Sequence, residues 1–181
     1  SSIYMSDCGS GLHPIQIDAG MAFGTGEHQT TSGCLEAISS LNTNPKSVLD
    51  VGSGTGVLAI AAKKKWPSAQ VFATEIDEVA LEVGKKNALI NEAEIRFDLN
   101  YDIASSLQKY DLIVANILLS PLLDMAEDFS AMIAPRGVLI LSGFIKNQEN
   151  QLVDKYKIFK FFEKNTIYKD DWVVKILCKN Q

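Results

Sequence analysis

The sequence has little of several features that mark particular classes of protein. Its 181 residues include 3 cysteines, spaced neither as paired metal ligands nor as a disulfide framework, so we expect reduced, buried thiols in a cytosolic protein. No apolar run approaches the roughly 18 residues that span a bilayer, and residues 1–7 lack the basic-then-apolar layout of a secretory signal. The 17 Lys and Arg do not outnumber the 22 Asp and Glu, which argues against non-specific binding to nucleic acid. These absences predict a cytoplasmic protein that binds neither membranes nor nucleic acid directly.

What the chain does contain is typical of a folded domain. Hydrophobic residues make up 46% and charged residues 22%, so there is enough apolar material for a core and disorder is not expected. The length suits a single domain over residues 1–181, with residues 1–20 as a lead-in segment. The net charge of −5 favours a basic protein or a small molecule as the partner.

Apolar runs rich in Val, Ile and Leu alternate with segments of helical periodicity. This alternation is typical of a parallel sheet covered by helices on both faces, and therefore of an α/β fold. The pattern predicts strands over residues 47–51, 70–74, 110–116 and 138–142, and helices over residues 30–41, 57–65, 77–90 and 120–134. Residues 158–168 and 172–178, separated by a turn-like segment, predict an antiparallel hairpin at the sheet edge.

Three alternating glycines follow the first of these strands. Gly52, Gly54 and Gly56 lie where the chain must turn sharply and approach a ligand, which a side chain would obstruct. Glu75 follows the second strand, 19 residues after Gly56, at the spacing of the acid that binds ribose hydroxyls in doubly wound sheets. The sequence thus predicts a pocket for an adenosine-containing cofactor. The alternatives are turn glycines in a cofactor-free fold and an ordinary surface carboxylate at Glu75.

The spacing of the glycines bears on which cofactor binds. The loop has the pattern G-x-G-x-G rather than the longer G-x-G-x-x-G of dinucleotide-binding proteins. S-adenosylmethionine has no phosphate, whereas a dinucleotide pyrophosphate needs the longer loop and a helix N-terminus. Residues 50–56, DVGSGTG, resemble the first motif of the Rossmann-like methyltransferases.

Further polar positions are candidates for the site. Asn116 ends a central strand at the carboxyl edge of the sheet, where ligands bind, and it is also suited to cap the following turn. Upstream, residues 22–31 read AFGTGEHQTT. In this loop Phe23 is placed to cover a ligand and exclude water, and Thr31 either bonds a ligand carboxylate or simply caps a helix. His28 is a candidate general base, with a structural hydrogen-bonding role as the alternative.

The same segments resemble one known family. Residues 22–31, together with NIL at 116–118 and LSGF at 141–144, are similar to the PrmA family, methyltransferases that modify ribosomal protein L11. The resemblance runs from about residue 17 to residue 151. It implies a Rossmann-like class I methyltransferase fold: a mostly parallel seven-stranded sheet with helices on both faces and a C-terminal antiparallel hairpin.

The resemblance also implies a cofactor and a reaction. S-adenosyl-L-methionine is the implied cofactor. The candidate cofactor-binding residues are Phe23, Thr31, Gly52, Gly54, Glu75 and Asn116. The implied reaction is methylation of amino groups, α-amino or lysine, in a basic ribosomal protein, with no metal required. Asn116 is also the candidate catalytic residue, because its side-chain oxygen, with the neighbouring Ile117 carbonyl, can accept N–H bonds from the amine.

The chain departs from the family pattern in two respects. Glu75 stands where family members usually carry Asp, which keeps the carboxylate and adds one methylene. The family's N-terminal domain, which recognises the ribosomal protein, is expected to be absent because only about twenty residues precede the loop. The alternative functions are methylation of another protein, a nucleic acid or a small molecule, hydride transfer with a nicotinamide cofactor, and non-catalytic cofactor binding.

Overall fold

The computed structural model describes residues 2–7, 11–18, 28–100 and 108–180, with side chains described from residue 14 onwards. The strands are β1 (Ser2–Asp7), β2 (Gly11–Gln16), β3 (Ser47–Val51), β4 (Gln70–Glu75), β5 (Arg96–Leu99), β6 (Tyr110–Asn116), β7 (Ile133–Ile145), β8 (Phe161–Lys169) and β9 (Trp172–Lys179). The helices are α1 (Gln29–Ser40), α2 (Val57–Lys65), α3 (Glu78–Ile90), α4 (Leu119–Asp124), α5 (Ala126–Met132) and α6 (Glu149–Ile158).

Seven strands form one sheet in the order β5-β4-β3-β6-β7-β9-β8. The pairs from β5 to β7 are parallel, and β9 and β8 complete the sheet in antiparallel fashion. This confirms the predicted α/β fold with its C-terminal hairpin. The strands β1 and β2 pair with each other in a separate antiparallel hairpin, in the region predicted only as a lead-in segment.

Helices cover both faces of the sheet because successive strand residues point to opposite sides. Val48 and Val114 pack in the core cluster that contains buried residues of α1 and α2. Their neighbours Leu49 and Ile113 pack in the opposite cluster, with α4, α5 and α6. The middles of the central strands are consequently mostly apolar, and their polar residues lie towards the strand ends.

Several predicted boundaries were wrong. The helix predicted over residues 120–134 is two short helices, α4 and α5, and the chain from Ile133 onwards belongs to β7, where Ile133 pairs with Tyr110. Helix α6 takes up residues 149–158, so the hairpin begins at Phe161 rather than at residue 158. Only Leu152 and Tyr156 of α6 are buried, which is too sparse a stripe to detect by periodicity. The edge strand β5 was also not predicted.

The topology creates a crevice between β3 and β6. The chain leaves β3 towards β4 and β5 on one side, and then crosses to β6 on the other, so the strand order reverses at β3. Ligands in open α/β sheets bind at this kind of reversal, outside the carboxyl ends of the strands. Val51 pairs with Ala115, which places Gly52 and Asn116 next to each other at this edge.

Gly143 in β7 holds the neighbouring strand ends close together. Its φ of +100° is unfavourable for other residues, and a Cβ there would overlap the backbone carbonyl of Ile117. We predict that Gly143→Ala lowers the free energy of unfolding by roughly 2 kcal/mol or more, measured by urea denaturation. An unchanged midpoint would contradict this close approach.

Candidate active site at the carboxyl ends of β3 and β6

The glycine loop after β3 runs directly against the ends of β4 and β6. Gly52, Gly54 and Gly56 have φ values of +70°, +52° and +78°. The amides of Gly52 and Ser53 both donate to the Thr74 carbonyl, at 2.9 and 3.0 Å. A Cβ on Gly52 would overlap Cγ2 of Ile117. The loop therefore needs glycine at this position both for its conformation and for its contact with the chain leaving β6.

The Glu75 carboxylate organises the loop from the end of β4. Its Oε2 accepts the Gly54 amide at 2.9 Å, and its Oε1 accepts the amides of Ile76 and Asp77 at 2.8 and 3.1 Å. A carboxylate has about four acceptor positions, so these three bonds leave one on Oε2. Two of the predicted site residues, Glu75 and Gly54, are thus hydrogen-bonded to each other. Glu75 retains an acceptor position for a ligand hydroxyl.

Asn116 and Thr31 lie together on the other side of the crevice. Asn116 Nδ2 donates to Thr31 Oγ1 at 3.4 Å, although the residues are 85 positions apart in the sequence. Thr31, in the first turn of α1, is 1% exposed. Asn116 Oδ1 is buried and has no hydrogen-bond partner among the described residues. A buried carbonyl oxygen of this kind is able to accept a hydrogen bond from a ligand.

His28 caps α1. Its Nδ1 accepts the Thr30 amide at 3.4 Å and pairs with Thr30 Oγ1 at 2.8 Å, and its ring packs edge-on against Trp172 with centroids 5.1 Å apart. These contacts correspond to the structural alternative rather than to a general base. Phe23, predicted to cover the ligand, lies outside the described residues, as do the other residues from 19 to 27.

Asp50 and Ser53 also carry buried polar atoms at the candidate site, although neither was predicted as a site residue. Asp50 is 1% exposed; its Oδ2 accepts the Ala59 amide at 3.0 Å, while its Oδ1 and the Ser53 hydroxyl have no hydrogen-bond partner within the described part of the chain. The sequence signal for Asp50 was a carboxylate among the apolar residues of the predicted strand over residues 47–51.

Burial sets the protonation of Asp50. It raises the pKa of the carboxyl from 3.8 to about 7; the Ala59 amide opposes the shift, and the charge of nearby Glu75 adds to it. The Cys34 thiol on α1 lies near Asp50. Burial, together with the charge of Asp50, raises the pKa of this thiol as well. The carboxyl therefore changes charge near neutral pH.

The atoms at this edge fit a ligand that brings its own hydrogen-bond donors. Three buried polar groups without described partners, on Asp50, Ser53 and Asn116, adjoin the glycine loop, and Glu75 offers one more acceptor. A nucleoside with sugar hydroxyls and an amino-acid group has donors of the required kinds. Within residues 2–7, 11–18, 28–100 and 108–180 there is no cluster of three or more His, Cys, Asp or Glu suited to a metal ion. A membrane-crossing helix is likewise missing from the elements described.

Comparison with known proteins identifies the family. Residues 10–180 match the model of the family Ribosomal protein L11 methyltransferase (PrmA). The chain belongs to this family. The ribosomal protein L11 methyltransferases of Caulobacter sp. (strain K31) and Agrobacterium fabrum are each 40% identical to it, over 90% and 92% of this chain. The chain spans 58% and 59% of the length of those two relatives.

Solved structures agree with this assignment. A ribosomal protein L11 methylase from Lactobacillus delbrueckii subsp. bulgaricus has a TM-score of 0.82 and 29% identity, covering 92% of this chain and 84% of that one. A precorrin-6y C5,15-methyltransferase from Geobacter metallireducens has a TM-score of 0.71 at 14% identity, covering 83% of this chain and 89% of its own, and shows the shared fold. The class I methyltransferase fold implied by the PrmA resemblance is confirmed.

The pKa of Asp50 predicts how stability depends on pH. The folded protein keeps this proton up to about pH 7, whereas the unfolded chain loses it near 3.8, so unfolding releases a proton between these values. The free energy of unfolding should fall as pH rises through this window, by up to about 1.4 kcal/mol per pH unit, and level off above it. We predict that Asp50→Asn flattens this dependence in urea unfolding series at several pH values.

The matched control is Asp124→Asn at the exposed end of α4, which should keep the wild-type slope. A wild-type slope in Asp50→Asn would show that Asp50 ionises at its ordinary pKa.

Proposed function

We propose that this chain forms a methyltransferase domain that uses S-adenosyl-L-methionine to methylate amino groups, α-amino or lysine, of a ribosomal protein, L11 in the first instance. The observation that carries the proposal is the buried, unpaired Oδ1 of Asn116, beside Thr31 in the crevice of a PrmA-family chain. That oxygen has no partner among the described residues and lies at the sheet edge where ligands bind, which supports its role as an acceptor for a bound molecule.

Different residues of the site are suited to different parts of the cofactor. The free acceptor on Glu75 is suited to a ribose hydroxyl, and the glycine loop allows close approach of the nucleoside. Asp50 and Ser53 carry buried polar atoms suited to the amino-acid end. When bound, S-adenosyl-L-methionine would supply an electrophilic methyl group on a sulfonium sulfur, with a neutral thioether as the leaving group.

The protein then has to orient the amine and exclude water. The amine must be neutral to react: at pH 7 this costs about 4.6 kcal/mol for a lysine of pKa about 10.4 and about 1.4 kcal/mol for an α-amino group of pKa about 8. Asn116 Oδ1 accepts an N–H bond from the neutral amine and directs its lone pair into the crevice. The Ile117 carbonyl, which lies against Gly143, is the second acceptor proposed for the amine.

The substrate assignment is supported by the named relatives and by charge. The two relatives described above are both L11 methyltransferases, and a net charge of −5 suits a basic substrate. A ribosomal substrate places the protein in the cytoplasm. Since one fold serves many substrates, another protein, a nucleic acid or a small molecule is the alternative to test alongside L11.

Glu75→Gln tests the cofactor. Gln keeps one acceptor oxygen but loses the charge and the paired acceptors, so we predict an increase of about tenfold or more in the Kd for S-adenosylmethionine, measured by calorimetric titration. Glu82→Gln, on the exposed face of α3, is the matched control and should bind as the wild type does. Binding of NAD but not of S-adenosylmethionine by the wild type would instead support an oxidoreductase.

Asn116→Ala tests the catalytic role. We predict that methyl transfer from labelled cofactor to purified ribosomal protein L11, with intact-mass readout of the acceptor, slows by about tenfold or more because the amine is no longer oriented. Asn165→Ala, on the exposed part of β8, should leave the rate unchanged. Wild-type turnover by Asn116→Ala with normal cofactor affinity would exclude this role.

A further inference from the structure

Asn87 in α3 and Asn91 just after the end of that helix bind the last residue of β2 and a residue that follows it. Asn87 Oδ1 accepts the Asp18 amide at 2.9 Å, and its Nδ2 donates to the Asp18 carbonyl at 3.0 Å. Asn91 does the same with Gln16, accepting its amide at 3.0 Å and donating to its carbonyl at 2.7 Å. Each side-chain amide therefore pairs with both backbone groups of one residue, as a neighbouring strand would.

Only one of these two asparagines also contacts the glycine loop. Asn87 Nδ2 makes a second donation, to the Thr55 carbonyl at 2.9 Å, whereas the second donation of Asn91 goes to the Asn87 carbonyl in the last turn of α3. Asn87 is fully buried, so each of these bonds is shielded from water. Three of its four hydrogen-bonding positions are satisfied by backbone groups of two separate segments.

The helix is close enough for this bond to control the loop. One turn before Asn87, a Cβ on Gly84 would lie 3.1 Å from the Gly54 carbonyl and 3.6 Å from the Gly56 amide. The loop is therefore packed on α3 and held at two neighbouring points. Glu75 accepts the Gly54 amide, and Asn87 donates to the carbonyl of the following residue, Thr55.

We infer that Asn87 is a positioning residue for the cofactor site, acting through the Thr55 carbonyl to set the orientation in which Gly54 meets Glu75. Its two bonds to Asp18 fix the amide plane and so aim the remaining N–H at the loop. This inference rests on the proposed use of S-adenosylmethionine. It assigns Asn87 no contact with the cofactor or with the amine.

The test compares Asn87→Ala with Asn91→Ala. Each substitution removes two bonds to a backbone residue near the end of β2, Asp18 or Gln16, so both should lower the unfolding midpoint. Only Asn87→Ala should raise the Kd and the KM for S-adenosylmethionine, by about tenfold, with kcat changed less than about twofold. Binding is measured well below the unfolding midpoint of each variant. Asn87→Ser, which perturbs the core less, carries the same comparison if Asn87→Ala does not fold.

A double-mutant cycle tests the route through Glu75. If Asn87 acts by orienting Gly54 towards Glu75, the Kd of Asn87→Ala/Glu75→Gln should rise by less than the product of the two single effects. In the cycle that pairs Asn91→Ala with Glu75→Gln, the change in Kd should equal the product of the two single effects. Multiplicative effects in the first cycle would overturn the inference, as would a wild-type Kd in a folded Asn87→Ala.

The failure of the proposed function gives a different result. In that case the wild-type protein does not bind S-adenosylmethionine, and no comparison of variants is needed. Binding by the wild type together with equal Kd values for the Asn87 and Asn91 variants overturns the positioning role alone.

Discussion

The site depends on how closely three chain segments meet around Ile117. This residue follows β6, its amide donates to the Ser142 carbonyl at 3.1 Å, and its side chain and carbonyl lie against Gly52 and Gly143. Both glycines have positive φ, and a Cβ on either would overlap Ile117. Because the ends of β3, β6 and β7 can approach this closely, the Asn116 side chain lies inside the crevice.

The sequence predicted most reliably the elements that are buried on both faces. The predicted strands over residues 47–51 and 110–116 agree with β3 and β6, since continuous Val, Leu and Ile runs leave few other structures possible. The helix after β6 was predicted as one because its apolar spacing continues across the break at Met125. The spacing of apolar residues indicates which residues are buried, but it does not indicate where a helical backbone hydrogen bond is lost.

The candidate site could be predicted in part for a similar reason. The ends of parallel strands share one edge, so the glycines, Glu75 and Asn116 could be expected there. The roles of Asp50 and Asn87 follow from which of their atoms are buried and from which backbone groups they reach, and these depend on packing between distant segments. Asn87 in particular bonds to Thr55 and Asp18, which lie 32 and 69 positions away from it in the chain. A single sequence does not show which distant residues are in contact.

The same buried polar atoms lower the stability of the folded protein and favour the binding of a ligand. Burying Asp50 Oδ1, Ser53 Oγ and Asn116 Oδ1 without partners from the described chain is unfavourable for folding, by roughly 1–3 kcal/mol for each group left unpaired. The glycine loop, by contrast, is hydrogen-bonded to Thr74, Glu75 and Asn87. The loop backbone is thus bonded to its neighbours, while these three side-chain atoms have no partner among the described residues. A ligand that satisfies them gains hydrogen bonds without having to order the loop, which is the energetic advantage of a preorganised site.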